Sequence, residues 1–439
     1  MTDLKISELG DAGTLTGSEL VEVVQSSTNK KSTLNDVKDF CAPDLRQYAS
    51  NALTMVIFGD SRTYHNLQSI DITNGNYRLR DNGYFNWANA LAGSPFRLVS
   101  NAGISGNTTT QMLARVTTDV CNVDADFCVM FGGTNDSVNV PVTFANLTAC
   151  AEAIVASGKY CFIVGEVPKT FSSAAHFVAL NTLLKQWCAN QKRIEFVDAW
   201  AETIDATSTT NQPKTDVFYD GLHFSTFGAL CVGRALAKHF ERFRYRAKPL
   251  VSGLSDCYGN NANSSNIWDY PVMTGTGGTA GTGASGTIPD GWNVFRASGA
   301  GTAICETVAR DDGCGNNLRL TISTPSSGTF TVQGIDSVHS RLTVGNYTFA
   351  DCEINVINPV NMRQSSMKVT GNTTEISCLT KMGAYGVYDA GFETVRRTPE
   401  MFQVPSGGQT SFVPSMSFEF VGAGSAVIEI GRFGIWSIA

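Results

Sequence analysis

Ser61 closes the run VIFGDS, Gly103 closes VSNAG, Asn135 lies in MFGGTND, and Asp220 and His223 stand three residues apart in YDGLHFS. A hydroxyl, a backbone donor, a side-chain amide and a carboxylate–imidazole pair are the parts that acyl transfer from an ester requires. A serine hydroxyl is a poor nucleophile until a neighbouring base takes its proton. Histidine suits that task because its ordinary titration range brackets neutrality. A carboxylate on the far ring nitrogen would hold the tautomer and stabilise the imidazolium as it forms. The sequence therefore predicts Ser61 as nucleophile, His223 as general base and Asp220 as its orienting carboxylate. Negative charge growing on the carbonyl oxygen needs fixed donors, and the amides of Ser61 and Gly103 with the side chain of Asn135 are the candidates.

Each residue alone has an ordinary explanation. Ser61 reads equally as a helix N-cap, Asn135 and Asp136 as turn residues, Asp220 as a cap and His223 as a hydrogen-bonded structural histidine. Together and in order they read as one catalytic set. His65 carries two readings, a residue lining the substrate mouth or a histidine on a surface helix. Glu166 and Asp198 also follow apolar runs, without an assigned chemistry. His176, His239 and His339, like His65, have no carboxylate or thiolate cluster near them in sequence, so no metal and no cofactor are expected.

Such a set works only if distant segments meet at one rim. The runs 54–58, 97–100, 127–131, 160–164 and 194–197 are short, nearly continuous in hydrophobicity and rich in Val, Ile and Phe, as buried parallel strands should be. Between them, Phe144, Leu147, Ala151, Ile154 and Val155 follow helical spacing, as do Leu180, Leu183, Leu184 and Trp187; a last helix is expected from Phe227 to about Phe240. Strands alternating with helices predict a doubly wound α/β sheet, whose site lies beyond the carboxyl ends of its strands.

The flanks differ. Residues 1–50 form a small module with a helix expected from STLNDVKDF, capped by Ser32 or Thr33. The hydrolase-like segment is expected over 51–245, a Gly/Thr-rich connection over 246–292, and a third region over 293–439. In the last, Leu318, Leu320 and Ile322 share a face, as do Cys352, Ile354 and Val356, and Met416, Phe418 and Phe420. This period-two pattern with turn residues between runs predicts an antiparallel β-sandwich. Around and within it, Trp268, Tyr270, Trp292, Tyr347, Tyr385, Tyr388 and Trp436 offer faces for sugar rings or fill a core.

A length of 439 residues calls for more than one core, and a net charge of −7 argues against nucleic acid as partner. The twelve cysteines include no CxxC pair, and many sit inside apolar runs, so they read as buried thiols of a protein folded in a reducing cytoplasm. The start MTDLKISELG shows no signal-peptide pattern, and no apolar run is long enough to span a bilayer.

The blocks Gly59-Asp60-Ser61, Gly103, Gly133-Thr134-Asn135-Asp136 and Asp220-Gly221-Leu222-His223 resemble those of the SGNH (GDSL-like) hydrolases, over about residues 53–242. The resemblance implies a flavodoxin-like fold and the roles assigned above. Arg62 stands where many members carry Leu, which places it at the mouth of the site as a substrate contact. The stretch ISELGDAGTLTGSELVEVVQ with KKSTLNDV resembles the N-terminal segment of bacteriophage tail fibre and tailspike proteins, and TGTGGTAGTGASGTIPDGW resembles linkers in phage tail proteins with this hydrolase domain. That resemblance implies a homotrimer made in the host cytoplasm and carried on the virion tail. Residues 1–40 would bind other tail or baseplate proteins, and the protein would act at the bacterial surface on capsule or O-antigen polysaccharide. Two functions follow: an esterase that removes acetyl groups from that glycan, or a receptor-binding adhesin on a retired hydrolase scaffold.

Overall fold

The computed structural model describes residues 20–25, 28–33, 53–71, 76–136, 138–170, 174–246, 250–256, 265–335, 338–372, 375–381, 386–400 and 402–438. They fall into two units, residues 1–51 and 52–439. In the first, β1 (Leu20–Gln25) and β2 (Thr28–Thr33) form an antiparallel hairpin. Ser32 and Thr33, expected to cap a helix, instead lie in β2 opposite Val21 and Leu20. The β-branched run opposite them offers strand pairing, which outweighs a short polar capping signal. The remainder of that expected helix lies outside the described residues.

The second unit begins with β3 (Leu53–Gly59), the four-residue helix α1 (Ser61–Tyr64), a hairpin of β4 (Leu67–Asp71) and β5 (Asn76–Arg80), and α2 (Tyr84–Leu91). It continues through β6 (Phe96–Gly103), α3 (Thr109–Val116), β7 (Phe127–Phe131), α4 (Val140–Ala156), β8 (Tyr160–Val164), α5 (Ala175–Cys188), β9 (Ile194–Val197), α6 (Trp200–Thr203) and α7 (Thr226–Phe240). Five strands form a parallel sheet in the order β6-β3-β7-β8-β9. Numbered along the chain that order is 2-1-3-4-5, the flavodoxin-like arrangement. Aliphatic residues of α3, α4 and α5, among them Met112, Leu147, Ile154 and Leu180, pack with Val56 and Met130 of the sheet. An aromatic layer fills another part of the core, where Phe240 meets Phe96 at 4.6 Å and Phe162 at 5.3 Å between ring centres. Sheet coverage by helices is what permits strands with no polar alternation: every residue of β7 is buried.

The β-rich part has the expected faces, with Leu318, Leu320, Ile322, Cys352, Ile354, Val356, Met416, Phe418 and Phe420 all buried. Its frame is two very long antiparallel strands, Tyr347–Gly371 of 25 residues and Phe412–Ile438 of 27 residues. Bulges between Ile357 and Gln364 let the pair bend, and Asn358 and Asn361 take the left-handed conformation there. The Gly/Thr-rich stretch is part of this body: 279–280 and 284–286 add as short parallel strands to 292–299 and 302–309. Trp268, Trp292 and Tyr388 are buried, so they fill the core rather than face a sugar, while Tyr347 is exposed and Tyr385 lies outside the described residues. All ten described cysteines are free thiols, eight of them buried.

The two parts of this unit share a sheet. The strand Glu375–Thr380 pairs with Tyr347–Gly371 on one side and, in parallel, with β5 on the other. Further links join them: Ser94 Oγ donates to Val395 O at 2.7 Å, and Arg234 pairs with Asp389 at 2.8 Å.

Candidate active site

β3 ends at Gly59 and the chain turns at once into α1. Asp60 is the N-cap, its Oδ1 accepting the Arg62 amide at 2.9 Å, and Ser61 is the first helical residue. The adjacent strands β6 and β7 end level with β3, pairing Gly103 and Phe131 with Gly59. Closeness here depends on glycine. A Cβ on Gly103 would lie 2.1 Å from the Tyr64 amide nitrogen of α1, and one on Gly59 2.1 Å from Phe131 O.

His223 arrives on a tight loop before α7. Phe218 bridges to Phe224, and the Tyr219 amide donates to His223 O at 3.1 Å. Asp220 Oδ1 accepts the amides of Leu222 at 3.0 Å and His223 at 2.7 Å, while Gly221 takes φ +87°. This Asx-type turn is why a three-residue spacing puts carboxylate against imidazole. Asp220 Oδ2 meets His223 Nδ1 at 2.7 Å, and His223 Nε2 meets Ser61 Oγ at 2.9 Å. Burial tends to raise the Asp220 pKa, but the hydrogen bonds from the His223 ring and the loop amides prevail and hold it below the usual carboxylate value. Ser61 is buried and His223 half-buried, with the Tyr219 ring stacked on the imidazole at 5.9 Å between centres.

The expected donors divide. The Ser61 amide meets no acceptor among the described residues. Asn135 Nδ2 donates one hydrogen to Asn107 O at 3.0 Å, which orients the amide and leaves its second hydrogen for a ligand. Gly103 departs from expectation: its amide donates to Asn101 Oδ1 at 3.0 Å, two residues back. Its role visible here is the close approach of β6 to α1. Asp136 receives both the amide and the hydroxyl of Thr109, tying the Asn135 loop to the start of α3.

Arg62 departs from expectation as well. It is 1% exposed and lies beneath the site, not at its mouth. Its Nη2 pairs with Asp60 Oδ2 at 2.8 Å and Glu166 Oε1 at 2.7 Å, its Nη1 meets Glu166 Oε2 at 2.8 Å, and its guanidinium lies 3.9 Å over Phe131. Burial opposes this charge, but the two carboxylates outweigh it and push the pKa up. The reason is room: the helix turn directs Arg62 inward, where Asp60 and Glu166 form a charged socket. Glu166 in turn backs the Asn135 loop, since its Oε1 lies 3.1 Å from where a Gly133 Cβ would be. His65 does stand at the site, its ring 4.9 Å from that of His223 between centres. Burial, then the nearby Arg80 and His223, lower its pKa to about 4, so it is neutral near pH 7.

Arg115 was not singled out in the sequence. Its guanidinium donates to Gly59 O and Ala102 O, each at 2.8 Å, and to Asn107 Oδ1 at 2.7 Å. It thus fastens the three segments that carry Ser61, Gly103 and the carbonyl that orients Asn135. An arginine on an amphipathic helix gives no such signal in sequence, because solvated arginines look the same. Glu166 was noted only for its place after a strand. Among the described residues, no group of three or more His, Cys, Asp or Glu side chains is arranged to hold a metal, and no helix is long and apolar enough to cross a membrane.

A parallel sheet with an open rim and a serine–histidine–aspartate relay across it defines a serine hydrolase site in geometry. Residues 57–229 match the family described as GDSL-like Lipase/Acylhydrolase, which supports an acylhydrolase domain over this part of the chain. Among solved structures, a GDSL-like lipase from Bacteroides thetaiotaomicron is 19% identical, covering 47% of this chain and 97% of that one, with TM-score 0.34. The lipase/acylhydrolase from Enterococcus faecalis is 21% identical over 43% of this chain and 96% of its own, at TM-score 0.33. Axe2, an acetylxylan esterase from Geobacillus stearothermophilus, is 18% identical over 43% and 94%, at TM-score 0.33. No curated protein sequence matches the chain.

Proposed function

We propose that the protein is a serine carboxylic ester hydrolase that removes acetyl groups from an O-acetylated bacterial surface polysaccharide, and that it is a phage tail protein. The observation that carries the enzymatic part is the unbroken relay Ser61 Oγ–His223 Nε2–Nδ1–Asp220, with spans of 2.9 and 2.7 Å. In the proposed reaction Ser61 Oγ attacks the ester carbonyl while His223 Nε2 takes its proton. The oxyanion is met by the Ser61 amide and the open hydrogen of Asn135. His223 then protonates the departing alcohol, leaving acetyl on Ser61. Water, deprotonated by His223, releases acetate and restores the serine.

The polysaccharide and virion parts rest on the resemblance of the N-terminal stretch and the Gly/Thr-rich passage to tail proteins. Acetate release from O-acetylated host polysaccharide, followed by NMR, tests the whole reading. We expect Ser61→Ala to abolish release with an unchanged circular dichroism spectrum. Release that persists in the variant would refute the mechanism. A wild-type protein that binds the glycan but turns over neither it nor 4-nitrophenyl acetate would instead be an adhesin.

A further inference from the structure

Beside the relay lies a positive charge that no ion pair among the described residues neutralises. Arg80 ends β5, its amide donating to Asn66 O at 3.0 Å, one residue past His65. Its carbonyl accepts from Asn86 Nδ2 at 2.9 Å, so the backbone is held from both sides. The guanidinium is half-buried, and its Nε is enclosed without a hydrogen-bond partner. No carboxylate among the described residues forms an ion pair with it. The neighbouring Asp81 is buried and accepts from Thr226 Oγ1 at 2.9 Å. Burial lowers the Arg80 pKa and outweighs Asp81, Tyr219 and Tyr64, which act the other way.

Those same residues place the charge at the mouth of the site. Tyr64 ends the nucleophile's helix, Tyr219 stacks on His223, and His65, which also feels Arg80, lies against His223. Tyr64 and Tyr219 are 52% and 44% exposed, so this rim is open to solvent. A desolvated charge without a counter-ion is unfavourable in the empty protein. It becomes favourable when a ligand supplies the missing anion, and the planar fork of arginine fits carboxylate and phosphate oxygens in pairs.

We infer that Arg80 is an anion-recognition subsite of the esterase, selecting acyl esters whose alcohol part carries a carboxylate or phosphate, as in acidic glycans. The inference rests on the ester-hydrolase reading of Ser61 and His223, and it narrows the substrate to anionic sugars. Arg80 binds the anion while the relay acts on the ester; it takes no part in proton transfer.

Three probes test it: O-acetylated glucuronate, O-acetylated glucose 6-phosphate and the neutral O-acetylated glucuronamide. Wild-type kcat/KM should be about tenfold or more higher for at least one anionic probe than for the amide, the scale of one hydrogen-bonded charge contact. The better of the two identifies carboxylate or phosphate as the natural group. Arg80→Gln should bring the anion-to-neutral ratio close to one, and Arg80→Lys should keep part of it. A wild-type ratio near one, or a ratio unchanged in Arg80→Gln, overturns the inference. If no probe is turned over in a serine-dependent way, the esterase reading fails separately. The subsite is then read by calorimetric titration of glucuronate and glucose 6-phosphate into Ser61→Ala and Ser61→Ala/Arg80→Gln proteins. Binding lost with Arg80 upholds it, and equal or absent binding overturns it.

Discussion

Replacing Arg62 by Leu removes the cation that pairs directly with both carboxylates of a buried socket, Asp60 at 0% and Glu166 at 1% exposure. Breaking a buried ion pair from one side typically costs about 3–5 kcal/mol, because the remaining charge is left uncompensated. Here two charges remain, so the upper part of that range is expected, about 4–5 kcal/mol. That is a large share of a typical folding stability of about 5–15 kcal/mol. Arg62→Lys keeps the charge but not the fork that reaches both partners, and should cost less. Removing Glu166 as well, in Arg62→Leu/Glu166→Leu, should recover at least about 1 kcal/mol relative to the sum of the single changes, since the pair couples directly. Urea denaturation of wild type, the single variants Arg62→Leu, Arg62→Lys and Glu166→Leu, and the double variant, comparing midpoints at a common slope, measures these differences. Activity adds a second reading. Asp60 caps the helix of Ser61 and Glu166 backs the Asn135 loop, so Arg62→Lys should lower kcat while changing KM little. An Arg62→Leu protein within about 1 kcal/mol of wild type, or strict additivity of the two leucine changes, would show that this socket does not hold the site.

Three further outcomes follow from the geometry. Asn135→Ala should lower kcat on an acetyl ester by about 10²–10³ with KM nearly unchanged, as loss of one oxyanion donor does; a comparable rise in KM would place Asn135 in ground-state binding. Asp220→Asn should leave the fold intact but reduce kcat strongly, by up to about 10⁴, since an amide no longer stabilises the imidazolium; steady-state kinetics showing less than a tenfold loss would make Asp220 dispensable. Glu195 is held at about 2, because hydrogen bonds from His239, Tyr160 and Arg242 outweigh the upward push of burial. A carboxylate depressed in the folded state stabilises above its unfolded pKa and loses that contribution as pH falls through the folded one. Glu195→Gln should therefore be less stable than wild type at pH 7, with the gap closing between about pH 4.5 and 2; a gap that stays constant in acid melts contradicts this.

Much of the site was legible because its chemistry is local. Asp220 and His223 meet through a turn that a three-residue spacing encodes, and Ser61 leaves a strand end that the apolar run 54–58 already marks. The helices around Leu147, Leu184 and Phe240 follow their 3.6-residue spacing, and the β-rich faces at Leu318–Ile322 and Met416–Phe420 follow their alternation. Local patterns of this kind survive folding because each residue's burial is set by its own element.

What only the tertiary structure decided concerns partners far apart in the chain. Arg62 reads as a residue of the mouth because it stands next to the nucleophile where many SGNH-like hydrolases carry Leu; Glu166, 104 positions away, draws it inward. The three anchors of Arg115 come from the ends of β3 and β6 and from the loop after β6, and β5 joins a strand about 300 residues later. Sequence carries residue type and period, which determine the element a residue joins and the face it shows. Which charge meets which, and that Arg80 forms no ion pair among the described residues, depends on the packing of those elements. Electrostatic energy is set by distance and burial, and neither is written along the chain.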